Sequence, residues 1–500
     1  MEGGDTVLIH NSEGSQFDTS IFASDWRYSA AIIGLREYLR SCGVEYNEDA
    51  RAYNPVIDCE DECFQFNMTD ITEEQYIQFV GKFYGPLLQP CKLERRLLEA
   101  APLSEDDLKE CNDLLTGQGS NTILKKIFNK EKISEENRAD ILDTLQAHKQ
   151  ELILETYRNK KNLYANYANT NMLLKEAGEA CRLNGYYLDV PKKGKSQGYG
   201  FDKARIDSTD SIIFDFIPFA FNGGRIKYFI NNSYSIKQMI AVAGSLRKIK
   251  DDEEKEERRL TDTQVLWKFL IHIIKHNPGD IEIIVKDQDK GFFETVYVRE
   301  KAMKILEGME KTFTMDDHAN PGQKKEVPFY QALSRIYKSD GSQDYIDIQK
   351  EVLKAVLQDT LLDKWIEFFL KENEFTANAH VKAVIRRLIQ INTQVRTGGS
   401  MMKKIEKDIV TSAYKVRKSP AVKENKLRTY RTKLLSAMVG NNYDKASQIL
   451  LHLSIYSGVH FPFASEIFAD FEQNKDVLYT FIEALGAPEK TEASSSGVNE

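Results

Sequence analysis

The chain has little cysteine and no long apolar run. Its six cysteines among 500 residues are scattered at spacings that do not suggest a disulfide framework: Cys42, Cys59, Cys63, Cys91, Cys111 and Cys181. The amino terminus, MEGGDTVLIH, lacks the basic and then apolar stretch of a signal peptide, and the apolar segment SIIFDFIPFAF is too short to cross a bilayer. These absences predict a protein of the reducing cytoplasm without membrane contact.

Several enzyme signatures are also missing. The sequence has no P-loop, no G-x-S-x-G motif and no kinase motif set. His272 and His276 stand four residues apart in HIIKH, without the glutamate of the zinc motif H-E-x-x-H, and CEDEC (Cys59, Cys63) has no second cysteine pair at zinc spacing. We therefore expect no catalytic residues, no metal and no cofactor.

Two alternatives to a non-catalytic binding protein stay open. Asp316, Asp317 and His318 form a polar cluster that a metal-dependent defence nuclease could use. The other alternative is a helical scaffold that binds only protein.

Hydrophobic periodicity predicts an α+β fold that is mainly helical, with a small mixed or antiparallel sheet in the amino-terminal domain and an all-α carboxy-terminal bundle. The first strong helix is SDWRYSAAIIGLREYLRSCG, which Ser24 or Asp25 can cap and Gly43 can end. Residues 72–171 are largely helical in pattern. We predict strands in CFQFN, LNGYYLDV, SIIFDFIPFAF, RIKYFINN, DIEIIVKD and FFETVYVR.

A chain of this length needs more than one hydrophobic core. We place a mixed α/β domain at residues 1–343, a basic helical bundle at 344–486 and a disordered tail at 487–500. The bundle contains six segments with a period of 3.6 residues: IDIQKEVLKAVL, LLDKWIEFFL, HVKAVIRRLIQI, MMKKIEKDIVTSAYKV, KLRTYRTKLLSAM and KASQILLHLSIY.

Positive charge is concentrated in one part of this bundle. Residues 382–433 contain fifteen basic and three acidic residues, a net charge of +12, whereas the whole chain carries -8. Helical spacing leaves basic faces exposed beside apolar stripes, which predicts a groove that binds phosphates without reading bases. The residues we assign to it are Lys382, Arg386, Arg387, Arg396, Lys403, Lys404, Lys407, Lys415, Arg417 and Lys418. A merely solvated helical bundle is the alternative.

A second basic element is the segment PKKGKSQGYGFDKAR at residues 191–205. Its glycines would let the backbone approach a phosphate, and its aromatic residues could stack on bases. The candidate binding residues here are Lys192, Lys193, Lys195, Tyr199, Lys203 and Arg205. A mobile hairpin without a ligand is the alternative. Asn222 and Arg225, in FNGGR, could also contact RNA or a groove edge, or could serve only the turn.

Several segments together resemble the large subunits of type I-B CRISPR Cascade complexes. They are DWRYSAAIIGLREYL, ANTNMLLKEAGEACRLNGYYLDVP, IIFDFIPFAFNGGRIKYFINNSYSIKQMI and KLRTYRTKLLSAMVGNNYDKASQILLHLSIYSG. Some members of that family carry paired C-x-x-C motifs, which this chain lacks, so a zinc site is not implied.

The resemblance implies a non-catalytic subunit of an RNA-guided DNA surveillance complex. Its amino-terminal domain would sit at the 5′ handle of the CRISPR RNA and read the protospacer-adjacent motif in target double-stranded DNA. The helical bundle would guide DNA strands and stabilise the R-loop, and a helicase-nuclease would be recruited to cut. The implied protein partners are the other Cascade subunits: the backbone protein, the guide-processing endonuclease and the small subunit.

Overall fold

The chain forms two compact units. The computed structural model describes residues 8–11, 14–99, 102–116, 122–129, 131–175, 182–184, 211–231, 235–255, 261–274, 279–309, 312–316, 324–328, 332–333, 336–337, 345–371, 379–398 and 403–486. One unit is Met1–Asp262 with Ile281–Tyr297, and the other is Thr263–Asp280 with Val298–Glu500. The boundary that we placed after residue 343 falls inside the second unit, and the predicted tail lies outside the described residues. Helices dominate and the strand pairs are antiparallel, which confirms the α+β class.

The first unit combines helices with two four-stranded sheets. Its helices are α1 (Trp26–Cys42), α2 (Glu73–Tyr84), α3 (Gln89–Glu99), α4 (Glu105–Thr116), α5 (Thr122–Ile127), α6 (Arg138–Ala147), α7 (Lys149–Asn159), α8 (Tyr164–Tyr167) and α9 (Ile236–Lys255). Its strands are β1 (Leu8–His10), β2 (Thr19–Phe22), β3 (Asn47–Asn54), β4 (Cys59–Phe66), β5 (Asn222–Gly223), β6 (Ile226–Asn231), β7 (Ile281–Asp287) and β8 (Glu294–Val298). The strand orders are β1-β2-β4-β3 and β5-β6-β7-β8. The predicted strands CFQFN, RIKYFINN, DIEIIVKD and FFETVYVR are confirmed, and LNGYYLDV lies almost wholly outside the described residues.

Helix α1 begins and ends as its sequence predicts, and it crosses the core of the first unit. The Asp25 carboxylate accepts a hydrogen bond from the Arg27 backbone N–H at 2.7 Å, and Gly43 ends the helix with a φ of 71°. In its middle, Gly34 packs directly on the backbone of residues 212–219. A Cβ atom at Gly34 would lie 1.9 Å from the Phe216 carbonyl oxygen, so only glycine allows this approach.

The strand predicted for SIIFDFIPFAF is wrong. Ile212–Phe219 forms a 3₁₀ helix with Pro218 inside it, and the residues from Ile213 to Phe219 are all buried. A short apolar run that is buried on every side has no periodicity that separates a strand from a helix, and proline removes a donor that a strand ladder would use.

A buried ion pair fixes this 3₁₀ segment in place. The Asp215 carboxylate accepts hydrogen bonds from the Tyr164 hydroxyl at 2.5 Å, the Leu174 N–H at 2.7 Å and the Arg182 guanidinium at 2.7 Å. Arg182 also donates to the Met172 carbonyl at 2.6 Å, and the side chains of Asp215 and Arg182 are inaccessible to solvent. The charges are therefore fully paired, which is the condition under which buried ions are tolerated.

The second unit is mostly helical. Its helices are α10 (Asp262–Ile274), which starts at the last residue of the first unit's main segment, then α11 (Glu300–Gly308), α12 (Ile348–Leu357), α13 (Asp363–Lys371), α14 (Ala379–Thr397), α15 (Lys403–Lys418), α16 (Glu424–Val439), α17 (Tyr443–Ser457), α18 (Ala464–Ala469) and α19 (Lys475–Leu485). Two strand pairs accompany them: β9 (Thr312–Asp316) with β10 (Lys324–Pro328), and β11 (Ile336–Tyr337) with β12 (Tyr345–Ile346). The six helices predicted for the bundle are confirmed, whereas α18 and α19 were not predicted. Among the residues described, no helix has the length and apolarity needed to span a membrane.

Two glycine-to-alanine substitutions test the close contact at Gly34. We expect Gly34→Ala to lower the free energy of unfolding of the first unit by about 1–3 kcal/mol, because the added methyl group must displace the Phe216 carbonyl. Gly244→Ala is the control, since Gly244 lies in α9 and a methyl group added to its Cα would meet no atom within 4 Å, so alanine should stabilise that helix by up to about 1 kcal/mol. Hydrogen exchange of α1 peptides in a urea series measures the change in unfolding free energy for each variant. Equal protection of the α1 amides in the two variants would contradict the close packing at Gly34.

Candidate nucleic-acid interface

Helix α19 lies at the centre of the second unit, and the basic helices α14, α15 and α16 all contact it. Every residue from Lys475 to Leu485 except Thr480 is buried. A helix in this position cannot leave its terminal N–H and C=O groups to water, so its ends need partners from the surrounding helices.

Basic side chains supply those partners at the carboxyl end of α19. Lys382 donates to the Gly486 carbonyl at 2.7 Å, Arg417 to the Ala484 carbonyl at 3.3 Å, and Arg431 to the Ile482 carbonyl at 3.2 Å. Arg386 pairs with the buried Glu483 carboxylate at 3.0 Å. Cations are favourable at this end because the helix dipole places partial negative charge there. We call Lys382, Arg386, Arg417 and Arg431 the α19 cap.

Burial affects the electrostatics of two residues of this cap. It lowers the pKa of Lys382 and that of Arg431, because a cation withdrawn from water is harder to keep charged. The hydrogen bonds to helix carbonyls offset part of this penalty. Lys382, Arg417 and Arg431 therefore bind backbone carbonyls of the fold, whereas Arg386 pairs with Glu483 from a side chain that is 53% exposed.

The amino end of α19 engages another predicted binding residue. Arg396 lies 3.2 Å from the Asp476 carboxylate and 3.0 Å from that of Asp363, and it donates to the Glu472 carbonyl at 2.8 Å. Burial raises the pKa of Asp476, and the adjacent Arg396 opposes that shift. Arg387 is also engaged, since its guanidinium donates to the Ala332 carbonyl.

Seven of the remaining basic residues of the segment have described side chains, and all seven are exposed. The outward cations, as we name them, are exposed side chains on or next to α15 and α16: Lys407, Lys415, Lys418, Lys423, Lys426, Arg428 and Lys433. Across the same two helices, the exposed acidic residues with described side chains are Asp408 and Glu424. Lys403 and Lys404 begin α15, but their side chains are outside the described part of the structure.

An exposed aromatic residue that we did not predict lies on the same face of α15. Residues seven and eleven positions apart on an α-helix point within about 20° of each other. Lys407, Tyr414 and Lys418 have this spacing, and Tyr414 is 53% exposed. The helical spacing from Lys407 was the signal that could have identified it. The face thus combines cations with an accessible aromatic ring.

The candidates of the first unit divide into described and undescribed residues. Asn222 is buried in β5, where its amide donates to the Ala220 carbonyl at 3.3 Å, and exposed Arg225 pairs with Asp289. The residues of the glycine-rich basic segment lie outside the described residues: Lys192, Lys193, Lys195, Tyr199, Lys203 and Arg205.

The candidate nuclease cluster is only partly described. Asp316 is the last residue of β9, whereas Asp317 and His318 lie outside the described residues. The described parts of the chain contain no group of three histidine, cysteine, aspartate or glutamate side chains arranged to hold a metal ion.

The α19 cap predicts that neighbouring arginines on α16 have different roles. We expect Arg431→Gln to lower the free energy of unfolding of the second unit by about 1–3 kcal/mol, because the Ile482 carbonyl loses a charged donor. The exposed Arg428, three residues earlier, is the control, and Arg428→Gln should change stability by less than about 0.5 kcal/mol. Hydrogen exchange of α19 peptides compares the two variants, and a larger loss of protection with Arg428→Gln would contradict the assignment.

Comparison with known proteins identifies a family. The family model described as CRISPR-associated protein Csx8 matches residues 17–247 and 241–485. No curated protein and no solved structure matches the chain. The CRISPR association that the resemblance implied is confirmed, while the type I-B large-subunit assignment is more specific than this match. Because the two matched segments together cover most of its length, the chain belongs to the Csx8 family of CRISPR-associated proteins.

Proposed function

We propose that this protein is a non-catalytic, nucleic-acid-binding large subunit of a CRISPR effector complex of the type I-B Cascade kind. The observation that carries the proposal is the set of outward cations on α15 and α16. Membership of a CRISPR-associated family supports the setting in defence.

The charge on this surface favours a phosphate backbone as the ligand. Seven exposed cations face solvent there against two exposed acidic residues with described side chains, although the whole chain carries -8. Among the described residues, Lys407, Lys415, Lys423, Lys426, Arg428 and Lys433 form no ion pair. Unpaired exposed cations release condensed counterions from a nucleic acid when they bind phosphates, and this release drives sequence-independent affinity.

The aromatic ring on α15 favours a strand whose bases are accessible. A base can stack on an exposed tyrosine, and such stacking tolerates any sequence because every base has a π-face. Tyr414 lies between Lys407 and Lys418 on one helical face, so a strand held through its phosphates could place a base on the ring. This combination fits a displaced or guide-adjacent single strand better than a closed duplex.

The finer roles follow from the resemblance to type I-B large subunits. We assign the first unit to the 5′ handle of the CRISPR RNA and to the protospacer-adjacent motif of target DNA, with Lys192, Lys193, Lys195 and Tyr199 as the duplex-contacting candidates. The second unit would stabilise the R-loop and help recruit a helicase-nuclease. Base pairing would supply sequence specificity, and the protein would read shape, backbone and the short adjacent motif.

The outward cations predict a specific salt dependence. We expect Lys407→Gln with Lys415→Gln to weaken binding to a labelled single-stranded DNA and to reduce the slope of log affinity against log salt by about 0.7 per lysine that contacts a phosphate. Fluorescence anisotropy across a KCl series measures the slope on the full-length protein.

The matched control keeps the change in charge and moves it to another helix. Lys350 and Lys354 are exposed on α12, so Lys350→Gln with Lys354→Gln should leave the slope unchanged. Equal slopes for the α15 variant and the unsubstituted protein would contradict phosphate binding by this face. Cleavage of the DNA in magnesium that disappears in His318→Ala would contradict the non-catalytic assignment.

Tyr414 is expected to contribute affinity without contributing to the salt slope. Tyr414→Ala should weaken binding to single-stranded DNA by about 1–3 kcal/mol, because one base loses its stacking partner. Tyr414→Phe should retain most of the affinity, since it keeps the ring and loses only the hydroxyl. The same anisotropy series measures the affinity of both variants. If the Tyr414→Ala protein binds single-stranded DNA as tightly as the Tyr414→Phe protein, Tyr414 does not stack on a base.

A further inference from the structure

The β3–β4 hairpin of the first unit ends in a well-defined turn. The two strands pair antiparallel with Asn54 opposite Cys59, and residues 55–58 connect them. Asn54 is buried, and its side-chain oxygen accepts a hydrogen bond from the Val56 N–H at 3.0 Å. Asp58 has a φ of 53°, and its carboxylate accepts a hydrogen bond from the Tyr53 hydroxyl. The tip therefore presents its side chains on a fixed backbone.

The tip exposes three large apolar or aromatic side chains within five residues. Tyr53 is 57% exposed, and Val56 and Ile57 are each 53% exposed. A cluster of this kind is unfavourable in water, and such clusters in soluble proteins commonly mark interaction sites.

Acidic residues without cationic partners in the described structure lie beside this apolar tip, in the turn and on β4. Asp58, Glu60 and Asp61 form no ion pair among the described residues, and Glu60 lies directly opposite Tyr53 in the strand register. Nearer the base of the hairpin, Glu48 differs because it pairs with Arg36 at 2.5 Å. Glu62 forms no ion pair among the described residues, and its carboxylate accepts a hydrogen bond from the Ile236 N–H at 3.0 Å.

This distribution of charge selects the kind of partner. Phosphate backbones are repelled by unpaired carboxylates, so a nucleic acid does not fit the tip. A protein surface with an apolar pocket bordered by lysine or arginine matches both the side chains and the charge. Apolar anchors at the centre of such a contact supply most of its binding energy, and charged groups at the rim supply specificity.

We infer that the β3–β4 tip docks into a basic-rimmed apolar pocket on another protein subunit of the CRISPR effector complex. The inference rests on the proposed role as a complex subunit. It adds a protein-binding surface in the first unit to the nucleic-acid surface proposed for the second.

An assembly experiment tests the docking. The full-length protein is produced together with the other proteins and the CRISPR RNA of a CRISPR effector complex from the same organism, and its association with them is measured after purification. Val56→Asp with Ile57→Asp should weaken association by about tenfold or more, because two exposed anchors become charged. Glu60→Lys should weaken it too, because a cation would then face the basic rim of the pocket.

A control removes exposed apolar side chains elsewhere. Leu98→Asp with Leu361→Asp alters positions that are 63% and 41% exposed and should leave association unchanged. If the unsubstituted chain associates and the tip variants associate equally well, the inference fails and the proposed function stands. If the unsubstituted chain does not associate with the other subunits, both fail.

A photo-crosslinker in place of Ile57 identifies what the tip touches in the assembled complex. A crosslink to another protein chain, mapped by mass spectrometry to apolar residues flanked by lysine or arginine, supports the inference. A crosslink to RNA or DNA, a crosslink to a second copy of this chain, or the absence of any crosslink overturns it.

Discussion

The buried helix α19 imposes the constraint on which the second unit depends. Its carbonyl end lies inside the protein, where an unsatisfied backbone acceptor costs about as much free energy as a lost hydrogen bond. Lys382, Arg417 and Arg431 donate to those carbonyls, and Arg386 neutralises the adjacent Glu483. Part of the positive charge of the bundle is thus a structural requirement of one helix. The cations that remain available to a ligand are the exposed ones on and next to α15 and α16.

The helical pattern of this unit could be predicted from sequence, but the burial of its central helix could not. In α19 the polar residues Asp476, Thr480 and Glu483 recur at helical spacing, which is typical of a solvent-exposed face, yet Asp476 and Glu483 are buried. The net charge of residues 382–433 could likewise be counted from the sequence, but the sequence does not show which of the basic residues contact the protein and which are exposed. Arg428 and Arg431 are three residues apart on one helix, yet the first is exposed and the second contacts the Ile482 carbonyl. Only the packing of α16 against α19 separates their roles.

In the first unit, the sequence likewise indicates that one apolar segment is buried but not which secondary structure it forms. The composition of SIIFDFIPFAF indicates burial correctly, but burial on all sides is compatible with a strand or a helix. Asp215 and Pro218 favour the 3₁₀ helix over a strand. The Asp215 carboxylate binds Arg182, and Pro218 has no N–H that could donate a hydrogen bond to a neighbouring strand. The partner Arg182 and the glycine at position 34 are distant in sequence. Their contacts with this segment could be found only in three dimensions.

Two exposed surfaces of the described structure carry charge of opposite sign, namely the outward cations on α15 and α16 and the acidic β3–β4 tip. With a net charge of -8, long-range attraction to a polyanion is weak. Screening at physiological salt limits such repulsion to about 8 Å, so a local set of cations on α15 and α16 can still hold phosphates once a strand is close. In the proposed role, the chain would depend on neighbouring subunits to deliver the strand. Docking the acidic β3–β4 tip on a basic protein surface would neutralise part of the repelling charge and hold the subunit where the nucleic acid already lies. Protein contact and nucleic-acid contact would then reinforce each other, because each removes an electrostatic cost that opposes the other.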